Sequence, residues 1–323
     1  MSITYICAMR VFRDLHHLPA FRNAVITIGT FDGVHKGHQK LISRINDIAK
    51  EIGGESIIVT FHPHPRLVIN PDDRSLKLLN TIEEKIQLLS EYHIDNVVVV
   101  PFSRDFSEQT AESYICDFLV ANFQPAHIVI GYDHRFGRNR VGDFSLLQVH
   151  QKEYGYQLEA ISKEMLDDIA ISSTNIRHSL QEGNITSAND LLGHNYMLSG
   201  IVVKGLQNGR KLGYPTANIQ VSDLNKLIPR TGIYAVKVHH ADKVYKGMLS
   251  IGFNPTFDGT EQTIEVNILD FDKDVYGESL TLEFIQFIRY EKKFDSLEEL
   301  IAAIDNDKLD TERILNADNS ILQ

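Results

Sequence analysis

The spacing of apolar residues changes near the middle of this chain, and the change separates two kinds of element. Val25–Ile28 is a buried-strand pattern, and strand-like runs recur at Ser56–Phe61, Asn96–Val100, His127–Gly131 and Tyr156–Ile161. Helical spacing lies between them. A helix predicted to start at His38 puts Leu41, Ile42, Ile45, Ile48 and Ala49 on one face. Thr81 with Glu84 has the form of a capping box for another. A further helix begins near Ser172–Thr174, carries Ile176 and Leu180 on one face, and stops at Gly183. Strands alternating with helices predict a Rossmann-like parallel sheet covered on both faces, with ligands at the carboxyl ends of its strands.

From about Leu198 the segments become short and β-rich: Leu198–Lys204, Ile233–Val238, Val244–Ile251, Thr263–Leu269 and Leu280–Ile288. Turn residues separate them, which predicts an antiparallel β-barrel. Ser296 with Glu299, followed by Leu300, Ile301 and Ile304, caps a C-terminal helix. The fold class is therefore α/β followed by all-β, with domains expected at 1–185 and 186–323.

Composition narrows the classes of function. At 323 residues the chain exceeds the usual size of one hydrophobic core, in keeping with two domains. A net charge of −11 and a pI near 5.7 oppose a general nucleic-acid or anionic-membrane surface. Two cysteines, Cys7 and Cys116, are too few for a disulfide scaffold and fit a reducing cytoplasm. No apolar run is long enough to span a bilayer, and the start lacks the form of a secretory signal, so a soluble protein is expected.

The richest stretch is Gly29-Thr-Phe-Asp-Gly-Val-His-Lys-Gly-His38, where a core strand runs through a tight turn into a helix. His35 and His38 then sit near a helix N-terminus, where amide hydrogens and the helix dipole favour anions, and Gly37 lets a phosphate approach the backbone. The alternative is a pair of polar turn residues. Zinc is a weaker reading, because no third ligand stands at a diagnostic spacing. Phe61-His-Pro-His-Pro65 follows the second strand, either as a functional loop or as a rigid turn with solvent-facing histidines. The loop from Gly131 through Asp133 and His134 to Arg140 suits a cover over polyphosphate, or is a solvated basic loop. Ser172, Ser173 and Thr174 with Arg177 suit a phosphate clamp at a helix start, or simple capping.

In the second half, Gly205, Gly209 and Gly213 punctuate a loop ending Tyr214-Pro-Thr-Ala-Asn218. Such a loop covers phosphates with backbone amides, or is a long hairpin connection. Thr216 and Asn218 offer two neutral oxygens two residues apart, suited to Mg²⁺ that keeps its own waters. Within Thr263–Leu269, alternation places Glu265 and Asn267 on the face opposite Ile264, Val266 and Ile268. There Glu265 is a base or cation partner, or an ordinary solvent-facing strand residue.

Taken together, these motifs resemble the bifunctional bacterial riboflavin kinase/FMN adenylyltransferase family over nearly the whole chain. The front half resembles the adenylyltransferase domain through residues 29–38, 61–65, the Gly131 loop and Ile171-Ser-Ser-Thr-Asn-Ile-Arg177. The rear half resembles the flavokinase domain through residues 209–218, Glu265, Asp270–Gly277 and Ile288-Arg-Tyr-Glu-Lys-Lys-Phe294. The resemblance implies two ATP-dependent steps, riboflavin to FMN and then FMN to FAD with release of pyrophosphate. It implies that Thr216 and Asn218 bind Mg²⁺ and that Glu265 accepts the riboflavin 5′-hydroxyl proton. Gly205, Arg210, Gly213, Tyr214, Pro215 and Arg289 would line the ATP and flavin sites. In the front domain His35, His38 and Arg177 would stabilise the charge of adenylyl transfer. Gly29, Phe31, Asp32, Gly37, Phe61, Asp133, Ser173 and Thr174 would bind the nucleotide and flavin. The expected partners are small molecules, with no nucleic acid and no membrane, and the protein is expected to be a monomer or weak homo-oligomer.

Two positions depart from the family pattern: His134 stands where an aromatic ring is usual, and Asn267 where many relatives have histidine. The histidine motif alone also suits an adenylyltransferase for another phosphorylated substrate, such as phosphopantetheine. A non-catalytic flavin-binding module is the reading from another class, against which Glu265 beside the metal loop argues.

Overall fold

The computed structural model describes residues 9–73, 75–162, 172–205, 209, 213–256 and 259–318. Internal contacts gather the chain into two compact units, Met1–Lys77 with Lys85–Ser172 and Leu78–Glu84 with Ser173–Gln323.

The first unit is a parallel sheet of β1 (Arg10–Phe12), β2 (Ala24–Ile28), β3 (Glu55–His62), β4 (Asn96–Pro101), β5 (His127–Gly131) and β6 (Gln157–Ile161). Their order is β1-β4-β3-β2-β5-β6. Strand β1 is absent from the sequence reading because its three residues carry no apolar run, and pairing with β4 over Arg10–Phe12 makes it a strand. Every residue of β2 is buried, as expected for a strand covered on both faces. It pairs with β3 on one side and β5 on the other, so the strand order reverses there. Loops leaving β2 and β5 therefore emerge side by side, where open α/β sheets bind ligands.

The helix Lys36–Ile52 buries Ile42, Ile45, Ile48 and Ala49 and ends at Gly53 in the left-handed region. Its start is two residues before the expected His38. His35 itself is the cap, its imidazole accepting from the His38 amide, so a ring replaces the usual short capping side chain.

The second unit is a closed antiparallel barrel of β7 (Tyr196–Val203), β8 (Ala217–Gln220), β9 (Gly232–His240), β10 (Lys243–Thr256), β11 (Gly259–Ile268) and β12 (Ser279–Arg289), in the order β10-β11-β8-β7-β12-β9. Strand β8 corrects the sequence reading, in which Asn218 ended a loop. Its four residues are too few to show alternation, and they are extended because they pair with both β7 and β11. Helices Ser173–Gln181 and Ile185–Leu192 add Ile176, Leu180, Ile185, Ala188 and Leu192 to the barrel core. Full burial of each large aliphatic side chain is worth about 1.5–3 kcal/mol. The C-terminal helix Leu297–Ala317 starts at the expected cap, Ser296. Among the described residues, no helix is long and apolar enough to cross a membrane.

The segment Leu78–Glu84 completes this unit through Lys226, a fully buried lysine. Its Nζ donates to Leu79 O, Met197 O and Glu84 Oε2, each at 2.6 Å, and lies 4.4 Å from the Tyr196 ring centroid. Glu84 also forms the expected capping box with Thr81, and its Oε1 accepts from the Ser199 amide at 2.8 Å. Losing one partner of a buried ion pair costs about 3–5 kcal/mol, because the other charge is left uncompensated. Glu84→Ala is therefore expected to lower the stability of this unit by about that amount, read by chemical denaturation followed by circular dichroism. Pairing Glu84→Leu with Lys226→Met should recover most of the loss.

Candidate functional site

In the first unit, three of the candidate loops leave adjacent strands at one end of the sheet, after β2, β3 and β5. Within the first loop, His35 and His38 stack with ring centroids 3.6 Å apart and an interplanar angle of 14°. Phe31 closes on His38 at 5.0 Å, and Phe31, Asp32 and His35 are all buried. Gly29 continues β2, its amide donating to Val59 O at 3.0 Å. Gly37 is buried in the first turn of the helix.

Burial, with the nearby His35 and Lys85, holds the His38 imidazole well below its ordinary pKa. It is thus neutral at physiological pH. Its Nδ1 is enclosed and has no hydrogen-bond partner among the described residues. An enclosed polar atom without a partner is costly, and a bound anionic ligand or an ordered water would relieve that cost.

Residues 61–65 straddle the end of β3 and the start of the next helix. Phe61 is buried in the sheet core against Phe102, 5.6 Å away and edge-on, and against Phe106. His64 caps the short helix Pro65–Ile69 by accepting from the Arg66 amide. The loop after β5 is folded rather than loose. Phe136 and Gly142 exchange backbone hydrogen bonds of 3.1 and 2.9 Å, and a Cβ on Gly142 would overlap the Phe136 ring. Asp133 stays exposed, while Arg135 pairs with Asp143 at 2.7 Å. His134 lies 5.8 Å from Phe136, its Nε2 enclosed without a partner among the described residues, and burial lowers its pKa to about 4. A neutral ring here stands in for the usual aromatic side chain.

Ser173, Thr174 and Arg177 lie on the helix Ser173–Gln181, which belongs to the second unit. Ile171, the start of that motif, lies outside the described residues.

In the barrel, strand register supplies the constellation. Glu265 on β11 pairs with Asn218 on β8 and with Ser250 on β10. Thr216 Oγ1 donates to Glu265 Oε2 at 2.9 Å. Ile264, Val266 and Ile268 face the core, so alternation turns Glu265 and Asn267 outward as expected. Asn267 gains a task that the sequence did not reveal: its Nδ2 donates to Pro215 O at 2.7 Å and fixes the loop just before Thr216. Glycine is required at two approaches. A Cβ on Gly205 would overlap the Asn218 amide, and one on Gly209 would overlap the Tyr214 carbonyl. Gly213 sits at φ 83°. Arg210 lies outside the described residues.

Two candidates are tied to the C-terminal helix. Tyr214 donates its hydroxyl to Asp305, a bond that raises the phenol pKa. Arg289 grips Asp307 with two bonds of 2.7 Å. Lys85 was not singled out from the sequence, although its spacing from Ile82 and Leu89 puts it on the apolar face of its helix. It is 6% exposed, and its Nζ donates to Thr30 O at 2.6 Å.

The FAD synthetase family model matches residues 18–175, and the riboflavin kinase model matches residues 192–315. The chain belongs to the bifunctional riboflavin kinase/FMN adenylyltransferase family. Relatives of that name include one from Listeria monocytogenes, 38% identical over 290 residues, covering 90% of this chain and 91% of the relative. Another, from Escherichia coli, is 36% identical over 304 residues, covering 93% and 96%. A crystal structure described as a macrolide-efflux protein from Streptococcus pneumoniae is similar at a TM-score of 0.82 and 31% identity, over 94% of this chain and 99% of that one.

The neutral histidines carry a pH dependence. A histidine whose folded pKa is depressed costs nothing above its unfolded value near 6.5, and it destabilises the fold as pH falls below that. The melting temperature of the first unit is expected to fall between pH 6.5 and about 4. In His134→Phe that fall should be smaller, as thermal melts followed by circular dichroism across this range would show.

Proposed function

We propose that this chain makes FAD in two ATP-dependent steps at two separate sites, phosphorylating riboflavin to FMN on the barrel and adenylylating FMN at the stacked histidines. The observation that carries the reading is the Thr216–Glu265 hydrogen bond, set by the β8–β11 register beside Asn218. A non-catalytic flavin binder has no need of a carboxylate held there.

Riboflavin binding would put its 5′-hydroxyl within reach of the Glu265 carboxylate, which takes the proton as the oxygen attacks the γ-phosphate of ATP and ADP leaves. Phosphoryl transfer asks mainly for alignment and charge neutralisation, so one base and a loop of amides go far. The residues fit Mg²⁺ by their chemistry. Because the Thr216 hydroxyl gives its proton to Glu265, its oxygen keeps its acceptor character, and the absent side chain of Gly205 lets the loop backbone approach the Asn218 amide. Thr216 and Asn218 would hold the ion, with waters and phosphate oxygens completing its shell. Bound there, Mg²⁺ supplies charge neutralisation to the phosphates.

In the front site, the FMN phosphate attacks the α-phosphate of a second ATP and pyrophosphate leaves. Neutral His38 and the His35 cap then act as hydrogen-bond donors to the developing charge, without a covalent intermediate. Ser173, Thr174 and Arg177 are proposed as further phosphate-binding groups on their sequence pattern, and the first two fall within the family match that ends at residue 175. Domains at 1–185 and 186–323, a reducing cytoplasm and a monomer or weak homo-oligomer complete the proposal. Cysteine usage supports the compartment, and a net charge of −11, which makes copies repel, supports the low oligomeric state.

The test uses two variants. With riboflavin, ATP and Mg²⁺, His38→Ala is expected to accumulate FMN without FAD. Glu265→Ala should form no FMN, yet convert added FMN to FAD, with flavins separated by chromatography. FAD from the first variant given riboflavin, or undiminished riboflavin turnover by the second, would remove that residue from its role.

A further inference from the structure

The turn between β2 and the helix Lys36–Ile52 is held in an unfavourable backbone shape at two buried positions. Phe31 has φ 48° and Val34 has φ 41°. Side chains disfavour this left-handed region, most of all the β-branched valine, so the surroundings must enforce it. A buried tether on that turn comes from a helix distant in sequence. Lys85 Nζ donates to Thr30 O at 2.6 Å and lies 3.5 Å from Thr60 Oγ1, which donates to the same carbonyl at 3.2 Å. Thr60 is fully buried near the end of β3.

We propose that Lys85 is a positioning residue for adenylyl transfer: its ammonium ties Thr30 to the end of β3 and thereby holds the Phe31–His38 turn, with its stacked imidazoles, in the shape that receives phosphates. This rests on the front-site reading above. A buried ammonium must be hydrogen-bonded, so the turn cannot relax away from Thr30 without stranding that charge. The charge has a second effect. It lies near enough to His38 to disfavour the imidazolium, in the same direction as burial and His35. Asp32 opposes the desolvation of Lys85 and helps keep it protonated, with a pKa lowered to about 8. The groups that interact with this ammonium are Asp32 in the turn, His38, and the neutral oxygens of Thr30 and Thr60. As pH rises through about 8, Lys85 gives up its proton and the tether weakens.

FAD formation from added FMN and ATP is measured at neutral to alkaline pH in the full-length wild type, Lys85→Met, Lys85→Arg and His38→Ala. Riboflavin phosphorylation in the same samples reports folded protein. Lys85→Met is expected to lose about a hundredfold in kcat for FAD formation, since small misplacements of a reacting geometry cost that much. Riboflavin phosphorylation should persist. Lys85→Arg, which does not titrate, should recover much of the rate and shift the alkaline fall upward. In NMR titrations the His38 imidazole should protonate at a higher pH in Lys85→Met than in wild type, and should stay low in Lys85→Arg, which keeps the positive charge. Wild-type FAD formation by Lys85→Met, or an unmoved His38 titration, would overturn the proposal. Should Lys85→Met lose both activities, an alkaline limb in Lys85→Arg identical to wild type would overturn it. FAD formation by His38→Ala at the wild-type rate would instead remove the front-site reading itself.

Discussion

A polar atom taken out of water must find a partner, and the loops of this protein that carry chemistry are held in place by that requirement. In the first unit the Lys85 ammonium finds the carbonyl of Thr30, inside the turn that presents His35 and His38. In the second, Asn267 finds the carbonyl of Pro215, and Thr216 finds Glu265. Lys226 is the fullest case. A lysine has three N–H donors, and here three oxygens accept them at 2.6 Å. None of these bonds needs to add much net stability to matter. The energy of leaving any of them unmade is what fixes the loop geometry.

The two units use backbone regularity differently to place a site. A parallel sheet brings loops together at the carboxyl ends of its strands, and the reversal of strand order beside β2 opens a crevice there. The barrel instead places side chains by register. Glu265 lies opposite Asn218 because of strand pairing, and a slip of one residue would turn Glu265 into the core. Family membership accounts for why both devices stand in one chain: one product is the other site's substrate.

Much of the fold could be read from the sequence, because strong periodicities leave little choice. The run Val25–Ile28, the capping box Thr81/Glu84 and the Ser296 cap appear where the pattern put them. Strands β1 and β8 escaped because three or four residues are too short to show a period, and their partners make them strands. The candidate chemistry was legible as motifs, but its supports were not. Lys85 and Lys226 were not singled out, since nothing local states that a distant carbonyl will accept from them. Arg289 resembled a ligand group, and its partner Asp307 lies on a helix whose docking no local pattern encodes. His35 was foreseen near a helix start, yet not as the cap itself, since histidine is not among the usual capping residues.

The most direct test of a two-site route is the origin of each phosphorus atom in the FAD produced. The protein is given riboflavin, Mg²⁺ and ATP labelled with ³²P at either the γ or the α position, and the FAD is cleaved at its pyrophosphate bond before separation. The expected result is label in the FMN half alone from γ-labelled ATP, and label in the AMP half alone from α-labelled ATP. FAD whose FMN half carries no γ-label, or an AMP half without α-label, would contradict a kinase step followed by adenylyl transfer.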